Sequence, residues 1–229
     1  MIQRRRDYGK REPSRDAHKI YLVCEGKDTE LNYFKFFEGL SSNLQVIAIP
    51  PTVGTDPIKL MKRAQEVLLD DNRQYTVECE HGDTVWFIID TDTWEKEGKI
   101  KPLREFCQEQ NDIIREKYDE VKPYPVWNVA QSNPCFEIWL YYHFYDKKPS
   151  QEKVGDCVSF KEFVHLEISG GFNFEKDPAR LEDAISNAEA NFGMEKDGRL
   201  SLYSTEMNKP GREILGFVKS ELDKLRNKL

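Results

Sequence analysis

The sequence predicts an α/β fold: a wound, mostly parallel sheet flanked by helices, with a C-terminal helical extension. Three observations carry that prediction. Short apolar runs alternate with amphipathic helical patterns as far as about residue 145. The strongest run, Val85-Trp86-Phe87-Ile88-Ile89, is apolar at every position, as expected of a strand covered on both faces. Three of the runs end in an acidic or polar group followed by a helical pattern.

In chain order, Ile20-Tyr21-Leu22-Val23-Cys24 is the first buried strand, ended by Glu25-Gly26. Asp28 or Thr29 caps a helix to about Leu40 that carries Leu31, Tyr33, Phe34, Phe36 and Phe37. Leu44-Gln45-Val46-Ile47-Ala48-Ile49 is the second strand, stopped by Pro50-Pro51. Asp56-Pro57 opens a helix to about Asp71 with Ile58, Leu60, Met61, Ala64, Val67 and Leu68 on its apolar side. The central strand ends at Asp90, and a helix runs from about Lys101 to Tyr118. Val126-Trp127-Asn128-Val129-Ala130 is the next strand, punctuated by Ser132-Asn133-Pro134 before an aromatic helix from Phe136 to about Tyr145. Beyond Pro149 the patterns are helical, near 159–168, 178–193 and 210–228. The divisions are thus a basic N-terminal arm over 1–18, an α/β core over 19–149 and a helical extension packed on it over 150–229.

With 229 residues, 38% hydrophobic, 33% charged and 12% aromatic, the chain is long enough to bury a core beneath a highly charged surface. No apolar stretch approaches the ~20 residues that span a bilayer, and the basic start has no apolar run behind it that would make a secretory signal. The cysteines, Cys24, Cys79, Cys107, Cys135 and Cys157, are widely spaced and include no CxxC, which points to a reducing cytoplasm rather than a disulfide or zinc framework. The net charge is −7, yet residues 3–19 carry Arg4, Arg5, Arg6, Lys10, Arg11, Arg15 and Lys19 against three acids. This arm lacks apolar periodicity and reads as mobile, either a solvated tail or a set of phosphate contacts from Arg4, Arg5, Arg6, Lys10 and Arg11.

The strand ends carry the chemistry. In wound sheets the carboxyl ends of parallel strands lie along one edge, where ligands bind. Glu25, Asp90 and Asp92, with Glu137 after a third strand, would meet there. Crowded carboxylates resist ionisation unless a cation sits among them, and oxygen-only ligands favour Mg²⁺ or Mn²⁺. Such a metal holds phosphate oxygens and activates water, as phosphodiester cleavage requires. The competing structural readings are that Glu25 caps a helix and that Asp90-Thr91-Asp92 is a solvated turn.

Three blocks are similar to the RloB-like family. Cys24-Glu25-Gly26-Lys27-Asp28-Thr29-Glu30-Leu31-Asn32-Tyr33-Phe34 resembles its CEG-x-x-TE-x-x-YF opening, and Asp90-Thr91-Asp92-Thr93-Trp94 its strand-end acidic pair. Ser132-Asn133-Pro134-Cys135-Phe136-Glu137-Ile138-Trp139, continuing to His143-Phe144, resembles its SNP-x-FE-x-W-x-x-x-HF block. The likeness covers residues 18–145 well; Asn208-Lys209-Pro210 with the amphipathic 211–228 segment matches the closing helix loosely. The resemblance implies a TOPRIM-like fold, Mg²⁺ held by Asp90 and Asp92, and Glu25 as acid/base or metal ligand, with Glu30 and Glu137 as further members. It also implies restriction-linked or abortive-infection defence against phage beside an ATPase partner. No local feature marks a nucleophilic tyrosine, so metal-activated water is the expected nucleophile.

Other residues have two readings. His143 could join the site or be structural, since it lies six residues after Glu137, off the i,i+4 face. Ser132 and Asn133 could touch a phosphate or cap a helix. Lys27 could reach a scissile phosphate or simply be a surface lysine. Phe136, Trp139, Leu140 and Phe144 read as core at helical spacing, and Cys24 as a small buried hydrophobe. Gly54-Thr55-Asp56-Pro57 lacks the lysine of a phosphate loop, so ATP hydrolysis would belong to a partner.

The expectation is therefore a cytoplasmic, Mg²⁺- or Mn²⁺-dependent endonuclease acting on DNA or RNA, transfer RNA included, with no membrane role and the oligomeric state left open. The alternatives are a non-catalytic nucleic-acid- or ATPase-binding sensor or adaptor, and primase-like nucleotidyl transfer.

Overall fold

Along the first strand, β1 (His18–Cys24), the side chains alternate between two cores: Ile20, Leu22 and Cys24 on one side, Tyr21 and Val23 on the other. This is the period-two geometry of a pleated strand with both faces covered. The computed structural model of the chain describes residues 10–117 and 125–227. It places β1 in a five-stranded sheet with β2 (Leu44–Ile49), β3 (Thr84–Asp90), β4 (Trp127–Asn133) and β5 (Ser204–Thr205) in the order β2-β1-β3-β4-β5. The first four strands are parallel, and β5 runs antiparallel to β4.

Helices cover both faces. The helices α2 (Pro57–Ala64) and α3 (Ile100–Lys117) close the core that contains Val85, Phe87, Ile89 and Trp127. On the other face lie α1 (Thr29–Lys35), α4 (Glu137–Tyr142), a short α5 (Gln151–Gly155), α6 (Phe160–Glu167), α7 (Leu181–Ala190) and α8 (Asn208–Arg226). Residues from α1, α4, α6, α7 and α8 share one cluster with Ile20, Trp86 and Ile88 of the sheet. Glu213 of α8 docks on the strand starts: its carboxylate accepts from Thr84 Oγ1 at 2.7 Å and Trp86 Nε1 at 2.8 Å, and His18 Nε2 lies at 2.7 Å.

Several boundaries differ from the sequence expectation. The first helix ends at Lys35 and continues only as turns, with Gly39 left-handed at φ 72°. The helix expected to reach Asp71 is α-helical to Ala64 and then makes a π-helical turn over Gln65–Leu69. The aromatic helix is shorter than expected, Glu137–Tyr142, and β4 runs on through Ser132 and Asn133. The two-residue β5, too short to leave a period in the sequence, adds a strand in the polar stretch between the helical patterns.

Residues 10–17 were expected to form part of a mobile arm, but they are docked. Arg11 N–H donates to Gly39 O at 2.9 Å and Ser14 N–H to Ser42 O at 2.7 Å. Arg4, Arg5 and Arg6 lie outside the described residues. No helix among the described residues is long and apolar enough to cross a membrane.

Candidate active site

The register brings the strand ends together. Cys24 pairs with Ile88, so Glu25, one residue on, donates its backbone N–H to Ile88 O at 3.0 Å beside the end of β3. Its carboxylate spans to the next segment: Oε2 accepts from Asp90 N–H at 2.9 Å and Oε1 from Trp94 Nε1–H at 2.8 Å. Asp90, paired with Ser132 across β3 and β4, accepts from Phe136 N–H through Oδ1 at 2.8 Å. Thr91 N–H donates to Ser132 O at 2.8 Å, which ties the acidic turn to the Ser132-Asn133-Pro134 segment. Asp92 is exposed and holds φ at 35°, a left-handed geometry that Asp tolerates better than most residues.

Glu30, in the first turn of α1, folds back so that Oε1 accepts from Gly26 N–H at 3.0 Å. A Cβ on Gly26 would fall 1.9 Å from Glu30 Oε2, so the glycine is what lets the carboxylate lie there. Glu137 opens α4 and is 7% exposed. Its Oε1 lies 3.5 Å from Lys161 Nζ of α6, while Oε2 is buried with no hydrogen-bond partner among the described residues.

These acids share one electrostatic environment. Burial pushes Glu25 up to about 7, opposed by the hydrogen bonds from Asp90 and Trp94 and reinforced by the charges of Asp92 and Glu30. Asp90 is pushed well above the usual carboxylate range by burial and then by Glu25, Glu30 and Glu137, with Lys161 opposing. Glu30 is raised chiefly by burial, with Glu137 adding to it and Lys161 again opposing. These buried acids raise one another, and Lys161 opposes the effect at Asp90 and Glu30 and pairs with Glu137.

The donor set is all oxygen, which suits Mg²⁺ or Mn²⁺, and the orphaned Glu137 oxygen is an unsatisfied ligand of the right kind. As they stand, no three acid, histidine or cysteine side chains among the described residues are disposed to enclose an ion. The cause is local: backbone and indole N–H groups hold Glu25, Asp90 and Glu30 in separate positions. Glu25, Glu30, Asp90 and Glu137 suit a cation in donor chemistry and charge, while these N–H groups set the positions of Glu25, Glu30 and Asp90.

The structure places the other candidate residues elsewhere. Ser132 Oγ pairs with Thr205 Oγ1 at 2.8 Å, and Asn133 Nδ2 donates to Leu200 O at 2.7 Å; both tie β4 to the β5 segment, and neither caps α4. His143 is buried, with Nδ1–H donating to Trp139 O at 2.9 Å and Nε2 accepting from Tyr33 Oη at 3.2 Å; burial depresses it to about 3. Lys27 is exposed in the turn between β1 and α1. Lys10 and Arg11 are engaged within the chain by Glu38 at 3.7 Å and Glu221 at 3.2 Å.

Sequence reasoning missed Trp94 as a partner of Glu25, and Lys161. Trp94 carried a signal, being part of the motif that follows Asp90. Lys161 carried none, because only the packing of α6 on α4 brings it to Glu137.

A family model described as RloB-like protein matches residues 20–210. No curated protein and no solved structure matches the chain.

Proposed function

The chain belongs to the RloB-like family, and from that premise we propose that it is a metal-dependent nuclease that cleaves nucleic-acid phosphodiester bonds as the effector of a prokaryotic anti-phage system of the abortive-infection type. The observation that carries this reading is the convergence of Glu25, Glu30, Asp90 and Glu137 in one buried acidic cluster with an unsatisfied carboxylate oxygen. The motifs also resemble the TOPRIM pattern of a Glu after the first strand and a D-x-D after a later one, and the parallel pairing of β1 with β3 is compatible with that reading.

In this reading Asp90, Glu30 and Glu137 would hold Mg²⁺ or Mn²⁺ with Glu25 beside them, and the exposed Asp92 would complete the set from the solvent side. The bound ion supplies water activation and neutralises phosphodiester charge. Glu25, which burial pushes up to about 7 in the metal-free chain, would manage the proton: a group whose pKa lies near the working pH both takes and returns it efficiently. Its two hydrogen-bond donors fix the carboxylate at the end of β1. Any nucleoside triphosphate hydrolysis belongs to an ATPase partner.

The test is cleavage of DNA, RNA and transfer RNA with Mg²⁺ or Mn²⁺ by wild type, Glu25→Gln and Asp90→Ala, each checked for folding and assayed alone and with the neighbouring gene product. Loss of cleavage in both folded variants is expected; wild-type cleavage by both sinks the assignment. A second reading, a non-catalytic sensor or adaptor, is favoured by the protein N–H groups that already occupy the carboxylates. Calorimetry separates the two, because a module of that kind takes up no Mn²⁺.

A further inference from the structure

The cluster contains its own cation. The helix α6 is capped by Ser159, whose Oγ accepts from Glu162 N–H at 3.2 Å. It is anchored by buried Phe163 and Val164, with the Phe163 ring 5.9 Å from Tyr141 of α4 and Phe160 stacked on Tyr203 at 5.5 Å. That anchoring sets Lys161 beside Glu137, with its side chain 63% exposed. Its ammonium faces one oxygen of Glu137, while the other oxygen has no partner among the described residues. Asp90 and Glu30 feel the same positive charge.

The geometry points to Lys161 as a built-in counter-ion that stands in for a divalent cation in the metal-free protein and competes with it, so that metal loading requires the ammonium to swing out toward solvent. This rests on the reading of the cluster as a metal site. Lysine chemistry suits such a role, because a compact point charge on a flexible stem can neutralise a carboxylate and then withdraw. Two like charges a few ångströms apart in a partly buried site oppose each other strongly, so the ammonium and a divalent ion cannot both sit against Glu137 without loss of affinity.

The experiment is titration calorimetry of the full chain with MnCl₂ at fixed pH and ionic strength, comparing wild type with Lys161→Met, which keeps the stem and removes the charge, and Lys161→Arg, which keeps the charge. Lys161→Met is expected to bind Mn²⁺ roughly tenfold more tightly than wild type, with Lys161→Arg close to wild type. In EDTA Lys161→Met should melt below wild type, and Mn²⁺ should raise its Tm by the larger increment. A purely structural role for Lys161 would lower both melting temperatures alike and leave the affinity where it was. Equal or weaker Mn²⁺ binding by Lys161→Met overturns the counter-ion role while leaving the metal site intact. Absence of binding in both proteins overturns the metal site and the counter-ion role together. Lys161→Gln repeats the comparison if the methionine variant does not fold.

Discussion

The indole N–H of Trp94 donates to Glu25 Oε1 at 2.8 Å, so the loop after β3 holds the carboxylate at the end of β1. Glu25 therefore has its two oxygens on two donors of one segment, the Asp90 backbone and the Trp94 ring. Both bonds favour the ionised form and work against burial, which pushes the group up to about 7. Trp94→Phe removes one of them and keeps an aromatic ring at that position. A hydrogen bond to a charged group contributes roughly 1.5 kcal/mol, about one pH unit of titration. Carboxyl ¹³C NMR of Glu-labelled protein should show Glu25 titrating at correspondingly higher pH, and any cleavage profile should move the same way. An unmoved titration would mean that the indole does not act on the carboxylate.

The acidic cluster should make the metal-free protein less stable as the solution becomes neutral. Asp90 is held well above its ordinary pKa in the fold. As pH rises past the ordinary Asp value, the unfolded chain releases this proton while the folded chain retains it, and stability falls. Glu25 acts in the same sense between 4.5 and about 7, an effect on the order of 3 kcal/mol. Asp90→Asn keeps an oxygen for Phe136 N–H and removes a charge. In EDTA its stability advantage over wild type in urea melts should grow from pH 4 to pH 8, while saturating Mn²⁺ stabilises wild type alone, by about 2.7 kcal/mol at a hundredfold excess over Kd. A constant advantage across that range would show that Asp90 carries no ionisation penalty.

Gly26 is constrained by Glu30 rather than by its own backbone. A methyl group there meets Glu30 Oε2 at 1.9 Å, and the carboxylate must leave its bond to Gly26 N–H. The helix itself should persist, because Tyr33 and Phe34 anchor it in the core independently of Glu30. Gly26→Ala is therefore expected to keep wild-type circular dichroism and to weaken Mn²⁺ binding as much as Glu30→Gln does. The double variant should be no worse than the poorer single one, since both changes remove the same ligand. Additive losses would assign the two residues separate roles.

The sheet was legible in the sequence because β1 and β3 carry apolar residues on both faces and β4 begins with Trp127, Val129 and Ala130, and such runs have few other uses. The parallel order followed from their alternation with helices, and that order alone put Glu25 beside Asp90. Three features were not legible, for different reasons. The two residues of β5 pair through backbone that Ser204 and Thr205 do nothing to announce. Ser132 and Asn133 look like phosphate ligands or caps, yet their side chains are spent on Thr205 and Leu200, which lie far along the chain. Lys161 reaches the cluster only through the seating of α6, a tertiary event without a local pattern.

His143 is expected to matter for stability and not for metal binding. Its Nδ1–H is committed to Trp139 O and its Nε2 to the Tyr33 hydroxyl, while the Tyr33, Trp139 and Phe172 rings surround it edge-on. Burial depresses it to about 3, so it is neutral at working pH and resists protonation. As pH falls below the ordinary histidine value of 6.5, the unfolded chain binds a proton that the folded chain refuses, and stability is lost from 6.5 down to about 3. His143→Phe fills most of the space but leaves the buried Tyr33 hydroxyl without its acceptor, at a cost of about 1–3 kcal/mol. The variant should melt several degrees lower at pH 7, lose less stability than wild type on acidification below 6.5, and bind Mn²⁺ with unchanged Kd. Loss of Mn²⁺ binding in a folded His143→Phe protein would instead bring the imidazole into the metal site.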